Sequence, residues 1–170
     1  MKNKGCMSAG TIGIALLVIA ALIFFWGTKG YNTFVAKDQN VITKWSNVET
    51  VYQKRANLIP NLQNTVKSYS KFEQETLTKV IEARSKATSI TIDPTNMTDA
   101  DMAKFQAAQG ELTGALSRLM AVVEQYPNLK ADQQYLNFQR EYTAIENSIR
   151  TETVYFNEAA QDYNTTIKQF

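Results

Sequence analysis

The feature that most constrains this 170-residue chain is a long uncharged segment close to its N-terminus. No charged residue occurs from Met7 to Gly27, and the stretch from Ile12 to Trp26 is almost entirely aliphatic and aromatic. As an α-helix this segment would be about 30 Å long, which matches the hydrocarbon core of a bilayer. Residues 7–27 are therefore predicted to form one transmembrane helix, with the lipid bilayer as its partner.

The residues around this segment indicate an anchor that stays attached. A cleavable secretory signal ends its apolar stretch with small residues, whereas this one ends with Phe-Phe-Trp at residues 24–26, which is typical of an aromatic interface belt. Lysines at positions 2 and 4 favour a cytoplasmic N-terminus. We expect residues 1–30 to form a cytoplasmic stub and transmembrane anchor, and residues 31–170 to form one helical bundle domain.

The composition excludes much chemistry. The chain has no histidine and a single cysteine, Cys6, so it lacks the most common general base and zinc ligand and cannot form an intrachain disulfide. With 18 basic and 16 acidic residues the net charge is only +2, which argues against a nucleic-acid partner. We therefore predict no catalytic residues, no cofactor and no metal ion.

Apolar residues recur three and four positions apart along the rest of the chain. They form four stripes, over residues 41–59, 62–90, 98–126 and 129–170, and no segment has the alternation of a strand. Turns are predicted at Pro60, in residues 91–98 and at Pro127. The expected fold class is all-α: an antiparallel up-and-down four-helix bundle built from two helical hairpins, preceded by one N-terminal transmembrane helix.

The tripeptide Pro-Asn-Leu occurs twice, at residues 60–62 and 127–129. Since proline suits the first turn of a helix, we place each copy at the corner of a hairpin, at the end of the bundle far from the bilayer. This corner is either a docking surface for a partner or simple hairpin closure, with Arg55 paired to Glu124. The predicted distal patch contains Arg55, Asn57, Pro60, Asn61, Glu124, Tyr126, Pro127 and Asn128.

Three charged residues are predicted to share one layer of the bundle. Counted from the predicted corners, Asp38, Arg84 and Glu152 each lie roughly 31 to 35 Å from the tip. An unpaired buried carboxylate is unfavourable, so we expect a buried polar layer in which the arginine pairs with a carboxylate and sets helix register. A carboxylate metal site is the alternative, but di-iron bundles use Glu-x-x-His pairs, which a chain without histidine cannot supply.

Several short motifs follow one another in a defined order along the chain. They are Tyr31-Asn32, Arg55-Ala56-Asn57-Leu58-Ile59-Pro60-Asn61-Leu62, Glu82-Ala83-Arg84, Glu124-Gln125-Tyr126-Pro127-Asn128-Leu129 and Tyr163-Asn164. This set resembles the bacterial LemA family, from the apolar segment to the C-terminus. The resemblance implies a membrane-anchored antiparallel helical bundle of bacterial origin, for which no catalytic residues are established.

From the anchor, the missing catalytic groups and the repeated corners we predict a non-enzymatic scaffold or adaptor of the bacterial cell envelope that binds another envelope or membrane protein. It would cross the cytoplasmic (inner) membrane once, with the helical domain on the outer or periplasmic side. One alternative is a homo-oligomer that assembles at the membrane through exposed helix faces. Another is a hydrolase based on the carboxylate of Glu124 or Glu152, which would need a deep pocket and a carboxylate of raised pKa.

Overall fold

A computed structural model describes residues 9–69 and 72–169, and α-helix is the only extended regular structure in these two ranges. The helices are α1 (Ala9–Lys67), α2 (Gln74–Ser89), α3 (Asp99–Val123), α4 (Pro127–Lys130) and α5 (Gln133–Lys168). α1 packs mainly against α5, α2 packs against α3, and α1 also contacts α2. The predicted all-α class is confirmed, and the long helices pack as a helical bundle.

α1 is one continuous helix of 59 residues. It includes most of the predicted anchor and the first helix of the bundle, with no break between them. Every residue from Ile12 to Trp26 is exposed, and among the described helices α1 alone is apolar and long enough to cross a membrane. The predicted stub, with Lys2, Lys4 and Cys6, lies outside the described residues.

The first predicted corner is wrong, because Pro60 lies inside α1 and the helix continues to Lys67. A proline has no N–H to donate to the carbonyl four residues earlier, which here belongs to Ala56. The Nε of Arg84 on α2 donates to this carbonyl instead, at 2.8 Å. Continuing the helix also keeps Ile59 in the core, where it is 1% exposed. α1 therefore ends at Lys67 and not at Pro60, and α2 begins at Gln74.

The other two predicted turns are confirmed. α2 ends at Ser89, and α3 begins after Thr98, whose hydroxyl accepts a hydrogen bond from the Asp101 N–H at 3.1 Å. α3 ends at Val123, and Pro127 then opens the short helix α4 at a position where no N–H is required. The chain turns back into α5 directly afterwards.

The core of the bundle has two parts. The larger part lies towards the end remote from the apolar segment and is built from aliphatic residues of α1, α2 and α3 together with aromatic residues of α5. The smaller part surrounds Trp45, whose ring centroid lies 5.2 Å from that of Phe105 and 5.3 Å from that of Phe156. α1 and α5 continue from there towards the apolar segment, where Lys37 Nζ lies 2.6 Å from Asp162 Oδ1.

Candidate functional site

The end of the bundle remote from the apolar segment, which we call the tip, comprises residues 68, 69, 72 and 124–132. The Tyr69 hydroxyl donates to Asp132 Oδ2 at 3.0 Å and lies 3.3 Å from the Asn128 carbonyl oxygen. The rings of Phe72 and Tyr126 are 5.2 Å apart. A shallow crevice opens between the two turns and is lined by residues 68, 69 and 125–129.

Asp132 joins the tip to the start of α5. Its Oδ1 accepts from the N–H groups of Gln134 at 2.8 Å and Tyr135 at 3.3 Å, so it serves as the N-cap. Burial alone would raise the pKa of Asp132, but these bonds and the Tyr69 hydroxyl outweigh burial and lower it. The same carboxylate raises the pKa of Tyr69. Asp132 therefore closes the corner that was assigned to Arg55 and Glu124.

The structure brings together only half of the predicted distal patch. Glu124, Tyr126, Pro127 and Asn128 lie at the tip, whereas the other four residues lie lower, within α1. Asn57, Pro60 and Asn61 are exposed there, and Asn57 lines a different crevice between α1, α2 and α3. Arg55 lies 12 residues before Lys67, the last residue of α1, which is about 18 Å along the helix. A docking role for the tip stays a prediction.

The predicted pair between Arg55 and Glu124 is wrong, because Arg55 is buried at 2% exposure in the middle of the bundle. Its Nη1 donates to Glu146 Oε1 at 2.9 Å and to Thr113 Oγ1 at 2.7 Å. Its Nη2 donates to Gln109 Oε1 at 2.7 Å and to the Gln109 carbonyl at 3.1 Å. We call these four residues the central polar layer. They connect α1, α3 and α5.

The central polar layer also reaches α2 and two tyrosines. Gln109 Nε2 donates to the carbonyl of Ala87 at 3.2 Å, and the Arg55 guanidinium lies 4.9 Å from the centre of the Tyr52 ring. Burial and then the Glu146 carboxylate raise the pKa of Tyr142 to about 12, although Arg55 opposes the shift. The tyrosines are thus neutral at physiological pH, and the layer contains one cation matched by one carboxylate.

The predicted layer of Asp38, Arg84 and Glu152 is wrong. Arg84 bonds to the carbonyl of Ala56, which lies 18 residues, or about 27 Å, from Asp38 along α1. Glu152 lies six residues beyond Glu146 on α5, and its Oε2 is buried with no hydrogen-bond partner among the described residues. The distances of Asp38 and Arg84 from the tip depend on a corner at Pro60, which does not exist, so these two residues do not lie at the height of Glu152, whose distance is counted from the corner near Pro127.

The hydrolase alternative gains little from these positions. Glu124 is exposed and pairs with Lys130. The carboxylates with a shifted pKa in the described ranges are Glu75, Asp93 and Asp132, and in each the pKa is lowered, the reverse of what a general acid requires. In the same ranges no group of three acidic or sulfur side chains is arranged to hold a metal ion.

The sequence did contain a signal for the central polar layer. Arg55 occupies an interior position of the first apolar stripe, and Gln109 lies between Phe105 and Leu112 in the third. Glu146 interrupts the fourth stripe in the same way. Polar residues at interior positions of three stripes must find partners on burial, and pairing them with one another would have identified the layer.

Comparison with known proteins relates this chain to one family. The LemA family model matches residues 44–170. Protein LemA of Metamycoplasma hominis is 28% identical over 158 residues, which cover 92% of this chain and 68% of that protein. Magnetosome protein MamQ 2 of Paramagnetospirillum magneticum is 28% identical over 177 residues, which cover 92% of this chain and 65% of that protein. The chain thus spans about two thirds of the length of these relatives, and it belongs to the LemA family.

Proposed function

We propose that this chain is a membrane-anchored, non-enzymatic scaffold or adaptor that presents its tip to another protein of the bacterial cell envelope. The observation that carries the proposal is the continuity of α1 from the apolar segment into the bundle. The 40 residues from Thr28 to Lys67 place the tip about 60 Å from the apolar segment. LemA membership and the MamQ relatives support association with a membrane.

The proposed location is the cytoplasmic (inner) membrane, crossed once, with the N-terminus inside. Two N-terminal lysines, at positions 2 and 4, support this orientation through the positive-inside rule. It places the tip on the outer or periplasmic side. A reporter enzyme that is active only outside the cytoplasm, fused after residue 170, tests this topology. We expect this reporter to be active. If the orientation is inverted, this reporter would be inactive, and a reporter that works only in the cytoplasm would be active at the same position.

The chemistry of the tip suits recognition of a protein surface. Gln125 and Asn128 are exposed beside half-buried Tyr69 and Tyr126, so hydrogen-bonding groups surround a crevice with aromatic walls. Amphipathic aromatic residues with polar neighbours are common at protein interfaces. The Asn128 side chain can be replaced without removing the contact that closes the corner, because Tyr69 approaches the backbone carbonyl of Asn128 and not its side-chain amide. The tip can therefore be altered independently of folding.

Site-specific photocross-linking in living cells tests the proposal. A photoreactive residue at Asn128 should yield a product with one envelope protein, whereas the same residue at Asn147, which is exposed midway along α5, should not. Asn128→Lys should abolish cross-linking of the partner to a photoreactive residue at the neighbouring tip position, Gln125, while the thermal midpoint of the chain stays unchanged. Equal products from Asn128 and Asn147 would contradict docking at the tip.

The same experiment separates the proposal from assembly of identical chains. A homo-oligomer through the tip would give a product at twice the 19.2 kDa mass of the chain. Such a product, formed without any other protein, would replace the adaptor proposal with homo-oligomeric assembly at the membrane.

A further inference from the structure

The C-terminal end of α5 lies beside α1 close to the apolar segment. The bridge between Lys37 Nζ and Asp162 Oδ1, at 2.6 Å, shows which residues of the two antiparallel helices lie at the same height there. α5 continues six residues further, to Lys168, so this end reaches the height of Tyr31 on α1. Tyr31 is five residues, or about 7.5 Å, beyond Trp26, where the continuous apolar stretch ends.

The charged side chains at this height are lysines. Between Trp26 and Lys37 the only charged residue is Lys29, and after Asp162 the only one in the described part of α5 is Lys168. Both lysines are exposed. We define the collar as Lys29, Tyr31, Ile167 and Lys168.

Two large apolar side chains of the collar are exposed beside these lysines. Tyr31 is 69% exposed and Ile167 is 48% exposed. Asp162, the first acidic residue above the collar on α5, is already paired with Lys37. The collar is therefore basic and apolar together, with no acidic side chain among its members.

The height of the collar matches the headgroup layer of a bilayer. Headgroups add roughly 5 to 8 Å to each side of the hydrocarbon core. With Trp26 at the edge of that core, Lys29 lies about 4.5 Å and Lys168 about 7.5 Å above it. Lysine side chains near a membrane surface are attracted to anionic lipids, and tyrosine favours the interface.

We propose that the collar binds anionic phospholipid headgroups, so that the bilayer contacts the end of α5 as well as α1. This inference rests on the proposed membrane anchoring of α1. Two contacts on different helices hold the bundle upright, whereas a single helix leaves it free to tilt. The tip is thereby presented at a fixed height and orientation above the lipid surface.

The test uses the full-length chain with an environment-sensitive fluorophore on one cysteine. In a Cys6→Ser background, Ile167→Cys carries the fluorophore in the collar, and Leu136→Cys carries it near the tip, at a residue that is 38% exposed. Each protein is inserted into vesicles of phosphatidylcholine, with or without phosphatidylglycerol, that contain a lipid-borne quencher. We expect strong quenching at position 167 only, and more of it when phosphatidylglycerol is present.

Charge reversal supplies the second arm. Lys29→Glu combined with Lys168→Glu should weaken contact of the collar with anionic vesicles by at least about 25-fold, because each lysine near such a surface contributes about fivefold and each glutamate is repelled. Equal quenching at positions 167 and 136, or no response to lipid charge and charge reversal, would overturn the collar. Flotation of the protein with the vesicles tests the anchor separately. A chain that floats without quenching at position 167 contradicts the collar alone, and a chain that fails to float contradicts the anchor.

Discussion

The two copies of Pro-Asn-Leu have the same three residues and different structures. Pro60 lies in the interior of α1, which continues for seven residues beyond it, whereas Pro127 is the first residue of α4, after α3 has ended. The tripeptide therefore does not define a corner. What differs between the copies is how the chain supplies the hydrogen bond that proline cannot make.

At the first copy the missing donor comes from another helix. Arg84 Nε replaces the absent N–H at the carbonyl of Ala56, one residue after the buried Arg55. At the second copy nothing needs to be replaced, because Tyr126, with φ −120° and ψ 82°, is not helical and Pro127 occupies a first-turn position. The first copy thus depends on a half-buried arginine from another helix, and the second on polar bonds at the surface.

The largest predicted effect tests how much the buried Arg55, close to the first copy, contributes to the stability of the fold. Arg55→Met should lower the free energy of unfolding by about 3 to 5 kcal/mol, because Gln109, Thr113 and Glu146 would lose their shared partner. Urea titration of the full chain in mild detergent, followed by circular dichroism, measures it. Lys54→Met, at the exposed neighbouring position, should change stability by less than about 0.5 kcal/mol. Equal effects at both positions would contradict the central polar layer.

The next effect isolates the bond that lets α1 pass through a proline. Arg84→Met should cost about 1.5 to 3 kcal/mol, since the carbonyl of Ala56 would lose a donor that is charged. In a Pro60→Ala background the N–H of residue 60 can donate to the same carbonyl, so the cost of Arg84→Met should fall by about 1 kcal/mol or more. A double-mutant cycle with the same urea titration measures this coupling. Additive costs would show that Arg84 stabilises the helix pair in some other way.

Apolar periodicity predicted the helical class and the stripes, because burial of a stripe follows from spacing alone. Proline and other turn residues predicted two of the three turns and misplaced the first. A proline normally costs a helix about 3 kcal/mol, and nothing near Pro60 in the sequence shows that Arg84, 24 residues later, supplies a donor. This one error moved the origin of the height counts for Asp38 and Arg84, and so misplaced both relative to Glu152. Four patch residues near Pro127 were placed correctly because that turn uses local chemistry.

A smaller effect tests the polar bonds at the surface close to the second copy. Asp132→Ala should cost about 1 kcal/mol, the usual value for loss of an N-cap, whereas Asp132→Asn should cost less at neutral pH because its side-chain oxygen still caps α5 and only the charge is lost. The pKa of Asp132 is lower in the folded chain than in the unfolded chain. Its charged form therefore stabilises the fold at any pH above the pKa that Asp132 has in the unfolded chain, and this stability is lost as the pH falls through the pKa that Asp132 has in the folded chain.

Stability measured between pH 6 and pH 2 checks this sign. The parent should lose stability relative to Asp132→Asn as the pH falls, while the neutral asparagine variant keeps only the acid response of other groups such as Glu75 and Asp93. Parallel curves for the two proteins would mean that the charge of Asp132 does not stabilise the corner.

The smallest effect concerns Pro127 itself and completes the comparison with Pro60. Pro127→Ala should cost about 0.5 kcal/mol, because its ring restricts the unfolded chain and its first-turn position requires no N–H. Pro60→Ala should act in the opposite direction and stabilise the chain, since it removes a ring from the interior of a helix whose exposed face has room for alanine. Thermal midpoints of the two single variants in the same detergent give both signs. If both substitutions destabilised the chain, Pro60 would have a favourable role within α1 that a lost hydrogen bond does not describe.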